Sequence, residues 1–299
     1  MHTTPITPMT GRVLVLLAGV FLSFGGLLVR LVEQADAWQF LFYRSISVAV
    51  LVVIAMQLLG QRFDHALRSA GRDAVIAGAC LSVAFAGFIL AVNLTTVANT
   101  LFMLSTAPFW AAILARLLLG ERVRAAAWLC MSVAMLGVIV MVEDGLGSDD
   151  LRGQLIALLA AMGFAGFSVA LRRGRHVDMR PGVCLAGLFA ALVAAAVCLV
   201  GGAGLAVSWL DFGIAVGYGV VSLGAGLGLY TIGSRVVPAA ELTLLSLSEV
   251  VLGPVWVWLL LGETPSGATL VGGALVLLAV VALVLVRSPR SALQTDQTG

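Results

Sequence analysis

The chain contains no lysine; all 17 of its basic residues are arginine, which reads as genome bias and carries no function. Charge of either sign is scarce, at 11% of residues, where a soluble domain carries about a quarter. Histidine occurs only as His2, His65 and His176, in tails or basic loops. The four cysteines, Cys80, Cys130, Cys184 and Cys198, lie in or at the ends of apolar segments without metal-ligand spacing. They read as lipid- or core-facing thiols. No Ser-His-Asp set, Walker loop or metal cluster stands in a suitable context. The expectation is therefore no enzyme, no cofactor and no metal. A net charge of +2 points away from a nucleic-acid partner. An ATP-driven pump would need a nucleotide domain, and none is found in the sequence.

What is present is apolar surface. Hydrophobic residues make up 61% of 299 positions, more than a soluble fold can hide, so the lipid bilayer is the expected surroundings. A transmembrane helix needs about 20 apolar residues. Ten such spans are expected: 13–32, 39–59, 74–92, 96–119, 124–142, 154–172, 182–201, 211–233, 239–261 and 267–286. The run from Val13 to Val29 is long for a signal peptide and has no convincing cleavage site before Arg30, so it reads as a retained helix. Thirteen arginines fall on one side: Arg12, Arg62, Arg68, Arg72, Arg122, Arg124, Arg172, Arg173, Arg175, Arg180, Arg235, Arg287 and Arg290. Only Arg30 and Arg152 fall on the other, beside Glu33, Asp36, Glu143, Asp144, Asp149 and Asp150. By the positive-inside rule both termini are cytoplasmic.

One string occurs twice. Leu117-Leu118-Leu119-Gly120-Glu121 returns as Leu259-Leu260-Leu261-Gly262-Glu263, 142 residues later. Two halves built alike follow: 13–142, an outer linker 143–153, and 154–286. Each half has five spans, an odd number, so the second is inserted upside down relative to the first. Inverted repeats place a substrate site near the midplane, where rocking alternates access. The fold class is thus an all-α membrane protein of ten helices in two inverted repeats.

Three stretches resemble the drug/metabolite transporter superfamily, in its EamA-like ten-helix branch. They are Ala91 to Arg122, Leu229 to Glu263, and Phe42-Tyr43-Arg44. The resemblance covers nearly the whole chain. It implies a secondary transporter of a bacterial cytoplasmic membrane with a small-molecule substrate. Spans 1, 3, 4, 6, 8 and 9 would lie nearest an apolar central chamber. Length, arrangement and an aromatic-rich first half are most similar to the amino-acid exporters, the aromatic type included. Multidrug or other metabolite efflux is the alternative within transport. A non-transporting scaffold or lipid-handling protein is the alternative outside it. The oligomeric state is not set by the sequence.

The family usually carries Glu-Pro in its ninth helix, where this chain has Glu249-Val250. In the ungapped repeat alignment Pro108 pairs with Val250, and Pro254 pairs with Ala112. A proline frees the carbonyl four residues back, so Pro108 and Pro254 are candidate hinges, or simply tolerated in membrane helices. Glu249 is an acid near the centre of a span. Its readings are a proton-coupling group, a partner for a substrate ammonium, or a neutral acid bonded to freed backbone. Arg44, about one turn inside the second span, has a fork of donors suited to a carboxylate; pairing with an outer-loop acid or lipid phosphate competes with that reading. Asn99 and Thr100 flank the outer turn between spans 3 and 4 and are candidates to face the cavity and bind substrate. Ser246 lies at the midplane, where a hydroxyl also bonds its own helix. Phe85, Met103, Phe164 and Tyr230 are candidates for an apolar pocket, with core or lipid packing as the competing reading. Glu121 and Glu263 suit structural places at the membrane surface, and the glycines of span 8 suit tight helix packing.

Overall fold

The computed structural model describes residues 7–95, 97–142, 151–262 and 266–285. Among them every regular element is a helix. The order is α1 (Pro8–Arg30), α2 (Ala37–Leu58), α3 (Phe63–Leu94), α4 (97–119), α5 (Ala125–Val142), α6 (Leu151–Arg173), α7 (Arg180–Val200), α8 (Trp209–Gly233), α9 (239–261) and α10 (Gly267–Leu285). Nine of these are long and apolar enough to cross a membrane, and α5 is a shorter apolar helix. Helices meet the bilayer's demand that every backbone donor and acceptor be satisfied within the segment.

The sequence placed the third span at 74–92; α3 begins at Phe63 instead. Its first turns carry exposed Asp64 and Arg68 and turn Ala66 and Ala70 inward. A sharp bend at Gly71 (φ 51°, ψ −129°) then redirects the chain into the spanning part. The hydrophobicity pattern had hidden this polar surface helix because it resembles a loop. Most of the linker 143–153 lies outside the described residues, and α6 begins at Leu151.

The repeated Leu-Leu-Leu-Gly string has a local meaning. Gly120 (φ 66°) and Gly262 (φ 73°) end α4 and α9 in the left-handed conformation. A residue without Cβ takes that conformation without strain and stops a helix. Glu263, Thr264 and Pro265 lie outside the described residues.

Packing follows the repeat. Helix α1 lies against α8 and α9, and α6 lies against α3 and α4, the corresponding pairs. Helices α2–α7, α4–α9 and α5–α10 pack as pairs that the repeat maps onto themselves. Single residues obey the same rule. A Cβ on Gly11 would meet Val236 and Val237, and a Cβ on Gly153 would meet Leu94 and Thr95. Each of these numbers is offset by 142 from its mate. Contacts at such sites are backbone-close, as between Gly137 and Gly272 of α5 and α10, in keeping with small residues at membrane helix interfaces.

The chain crosses between two ends. Arg180 bonds Gln61, Arg172 bonds Glu121 and Arg12 bonds Glu241, which gathers one set of loops at the arginine-rich end. At the opposite end Asp211, in the first turn of α8, accepts from the backbone N–H groups of Glu33, Gln34 and Ala35 at 3.0–3.1 Å. The Gln39 amide there donates to the carbonyls of Gly204 and Ala206, each at 3.2 Å.

Candidate functional site

Two helices are interrupted near the middle of their length. Helix α4 is built from Val97–Leu104 and Ala107–Leu119, and α9 from Ala239–Ser246 and Ser248–Leu261. The interruptions at Ser105–Thr106 and at Leu247 are repeat mates, since 105 and 247 differ by 142. Both tighten into three-residue turns: Thr106 N–H donates to the Met103 carbonyl at 3.1 Å, and Leu247 N–H to that of Leu244 at 3.1 Å. Hydroxyls turn back onto the same strands of backbone, Thr106 onto the Met103 carbonyl (2.6 Å) and Ser246 onto that of Thr243 (2.9 Å). Tight turns inside a helix mark hinges. Pro108 sits in the first turn after the α4 break. In α9 the break lies at Leu247, seven residues before Pro254, which sits inside the continuous second segment.

Arg44 lies seven residues into α2, about 10 Å along its axis, and is only 2% exposed. Its guanidinium carbon stands 5.2 Å from the centre of the Phe85 ring and 5.0 Å from that of Tyr218. One nitrogen, Nη2, donates to the Phe85 carbonyl at 3.4 Å, and Nε has no partner among the described residues. No carboxylate among them pairs with it. The alternative of an outer-loop acid is therefore not what holds this cation; two aromatic faces do. Tyr218 begins a π-helical stretch, Tyr218–Ala225, within α8. Such widened turns recur at functional sites. The next residue, Gly219, lies against the Arg44 carbonyl, and Gly25 of α1 leaves room for the Tyr218 ring.

A second cluster surrounds Tyr230, which is fully buried. Its hydroxyl shares a 2.6 Å hydrogen bond with Ser168 of α6, and its ring meets Phe164 and Phe167 at centroid distances of 5.5 and 6.0 Å. Glu249 follows the α9 break and is half-buried. It makes no hydrogen bond or ion pair among the described residues. Its carboxyl is within electrostatic range of both Tyr218 and Tyr230. Tyr218, which touches Arg44, thus also lies within the electrostatic reach of Glu249. Beside Glu249, the buried Ser248 hydroxyl has no partner and abuts Gly19 of α1.

The structure thus brings Arg44 and Phe85 together, and Phe164 and Tyr230 together, and leaves Glu249 in direct contact with neither group. Met103 contributes its carbonyl to the α4 turn and is half-buried. Ser246 is spent on its own helix. Asn99 and Thr100 are buried at the start of α4, where the Asn99 amide donates to Thr95 Oγ1 at 2.9 Å. A cavity of about 430 Å³ opens elsewhere, between α1, α2, α7 and α8, where Phe21, Leu51, Val183 and Gly224 line it. Sequence reasoning missed Ser168 and the Trp256 indole, which donates to Ser23 at 2.8 Å and stacks on Phe24. It also missed Glu241, buried in the first segment of α9. Glu241 stands where a span begins and pairs across the fold, so nothing local in the sequence sets it apart.

Comparison with known proteins places this arrangement. The curated proteins include the pseudopaline exporter CntI of Pseudomonas aeruginosa, in strains UCBPP-PA14 and PAO1. Each is 25% identical over 289 residues, covering 92% of this chain and 95% of the relative. A solved structure, described only as the crystal structure of a protein, superposes with a TM-score of 0.75 at 19% identity. It covers 92% of this chain and 96% of its own, which shows the fold alone. The profile of the EamA-like transporter family matches twice, over residues 9–143 and 151–285, once for each repeat. This multi-span membrane protein belongs to the EamA-like transporter family.

Proposed function

We propose that the chain is a secondary transporter that exports small zwitterionic, amphipathic metabolites. Amino acids of broad or aromatic and apolar preference are the first candidates. The arginine-rich end, with both chain termini, faces the cytoplasm of a bacterial cell, as the 13-to-2 arginine split supports. One observation carries the reading. Arg44 and Glu249, a cation and an acid inside spanning helices, have no ionic partner among the described residues, and the Tyr218 that Arg44 lies over is within the electrostatic reach of Glu249. A charge at such depth costs at least about 2.5 kcal/mol on insertion scales, so a bound partner is called for. A solute with a carboxylate and an ammonium supplies both charges, and the aromatic rings around Tyr230 suit an apolar side chain. The exporter relatives support efflux as the direction, and the family match leaves the scaffold reading without support.

The test is counterflow in liposomes that contain only this protein. Phenylalanine, methionine and threonine should exchange without ATP. Arg44→Gln and Glu249→Gln should each lower that exchange at least about tenfold, the scale of a lost charged hydrogen bond. Flux of a cationic drug with no amino-acid counterflow would install multidrug efflux instead. A Glu249→Gln protein that keeps counterflow and loses proton-driven accumulation would make Glu249 the proton-coupling group.

A further inference from the structure

The two ends of the molecule are built from equivalent positions but are closed by different chemistry. Arg12 lies in the first turns of α1 and Glu241 in the first segment of α9. Arg12 Nη2 donates to Glu241 Oε2 at 2.9 Å, with the two side chains 8% and 6% exposed. Arg12 Nη1 also donates to the Val284 carbonyl of α10 at 2.9 Å. Arg124, just before α5, approaches the other Glu241 oxygen at 3.9 Å. Alongside, Arg172 at the end of α6 donates to Glu121 at 2.7 Å and to the Arg235 carbonyl at 2.8 Å. Each of these ion pairs joins one repeat to the other. The offset of 142 carries Arg12 to Gln154 and Glu241 to Asn99, at the opposite end. The same register holds there, because Gly11 and Gly153 meet corresponding neighbours. So the place of an ion pair at one end is held by two amide side chains at the other.

Glu241 also sits on a short, fully buried helical piece with a break at one end and a proline at the other. The segment Ala239–Ser246 is bounded by Pro238 and by the break at Leu247. A cavity of about 110 Å³, lined by Glu121, Arg124, Ala240 and Glu241, runs along this seam. That is room for several waters beside a segment that is otherwise buried along its whole length.

We propose that the Arg12–Glu241 pair is the lock of a gate at the arginine-rich end. Intact, it holds the first segment of α9 against α1 and keeps that end shut. Opening there requires parting two buried charges. The opposite end has amides at the same positions. Loss of the pair therefore favours the state open at the arginine-rich end. The inference rests on the chain being a transporter and not on the identity of its cargo.

Thiol labelling tests the gate without any cargo. In a full-length background with Cys80, Cys130, Cys184 and Cys198 replaced by alanine, Ala240→Cys places a reporter on the seam. Vesicles that expose the arginine-rich end are treated with an impermeant maleimide. Labelling should be slow in the parent and at least about tenfold faster in Glu241→Gln and in Arg12→Gln, the size of effect that one lost charged hydrogen bond gives. The double exchange Arg12→Glu with Glu241→Arg, which restores the pair in reverse, should return the rate toward the parent. An unchanged rate in a folded Glu241→Gln protein would overturn the proposal. So would labelling in the double exchange as fast as in the single variants, since that pattern means general loosening. Loss of amino-acid counterflow with the labelling pattern intact would count against the cargo reading alone.

Discussion

Helices α4 and α9 break at the same place, but only α4 does so with a proline directly behind the break. Pro108 follows the α4 interruption, whereas α9 has Val250 at the equivalent position and carries Pro254 within an unbroken helix. The break is therefore a property of the position in the repeat. Proline supports it in one copy; in the other, three-residue turns and inward hydroxyl bonds suffice. The two ends of the fold teach the same lesson. The repeat preserves geometry, as at Gly11 and Gly153, and lets the side-chain chemistry diverge, as at Glu241 and Asn99. Function in an inverted-repeat transporter can then be read from the places where equal positions hold unequal groups.

The largest effect expected in this comparison is at the paired glycines. A Cβ on Gly153 would meet Thr95 Cβ at 2.7 Å and the Leu94 backbone at 3.0 Å, neither of which can move freely. A Cβ on Gly11 would crowd side-chain atoms only, the Cγ2 atoms of Val236 and Val237 in the turn before Pro238, which must shift with that turn. Gly153→Ala should cost about 1–3 kcal/mol, as overpacking does. Gly11→Ala should cost less, because a turn yields more readily than the Leu94 backbone at a helix end; the helix propensity that alanine gains, about 1 kcal/mol, is common to both sites. Thermal melts of the two variants in detergent decide; equal costs would break the distinction.

A smaller effect separates Asp36 from Asp178, again 142 residues apart. Both accept from the backbone N–H two residues on, of Trp38 at 3.4 Å and of Arg180 at 3.1 Å. Asp178 alone also pairs with its neighbour's guanidinium, 2.6 Å from Arg180 Nη2. Burial would raise its carboxyl pKa, but the bonds from Arg180 outweigh burial and hold it below the usual carboxylate range. A depressed folded value means stability present above about pH 4, the unfolded value, and lost as the pH falls through the folded one. Asp178→Asn should cost about 1 kcal/mol at pH 7, with the difference from the parent fading below about pH 4. Asp36→Asn should change little, since both residues cap helices well. Melts at pH 7 and pH 3 test the pair.

The smallest effect is expected at Pro108. Because α9 breaks without an equivalent proline, Pro108→Ala should leave the α4 break in place. It should shift stability by no more than about 1 kcal/mol, the range of a proline effect acting through the unfolded chain, and leave counterflow near the parent rate. A large loss of exchange would show that α4 depends on its proline as a hinge in a way that α9 does not.

Much of the fold could be read in advance because membrane helices are announced by long apolar runs, and the repeat by one five-residue string. The helix Phe63–Ala70 escaped because a surface helix with exposed Asp64 and Arg68 has the hydropathy of a loop. Of the candidate site, Arg44, Phe85, Tyr230 and Glu249 were legible as polar or aromatic residues out of place in lipid. Tyr218 was visible only as one aromatic among many until the fold set it over Arg44. Glu241 was not legible, since an acid at the start of a span looks like an ordinary surface charge.

By itself the sequence determined the class of molecule: helices that cross a bilayer, two repeats of five, and the uneven arginine distribution. Those properties are local, because hydropathy, helix caps and charge act on segments of twenty residues or fewer. Tertiary structure decided which of the few polar groups meet. It put Arg44 between two aromatic faces without a carboxylate, left Glu249 without an ionic partner near Tyr218, and joined Arg12 to Glu241 across 229 residues. In a medium that offers no water, the worth of a charge depends on what lies within a few ångströms of it, and only the folded chain sets that distance.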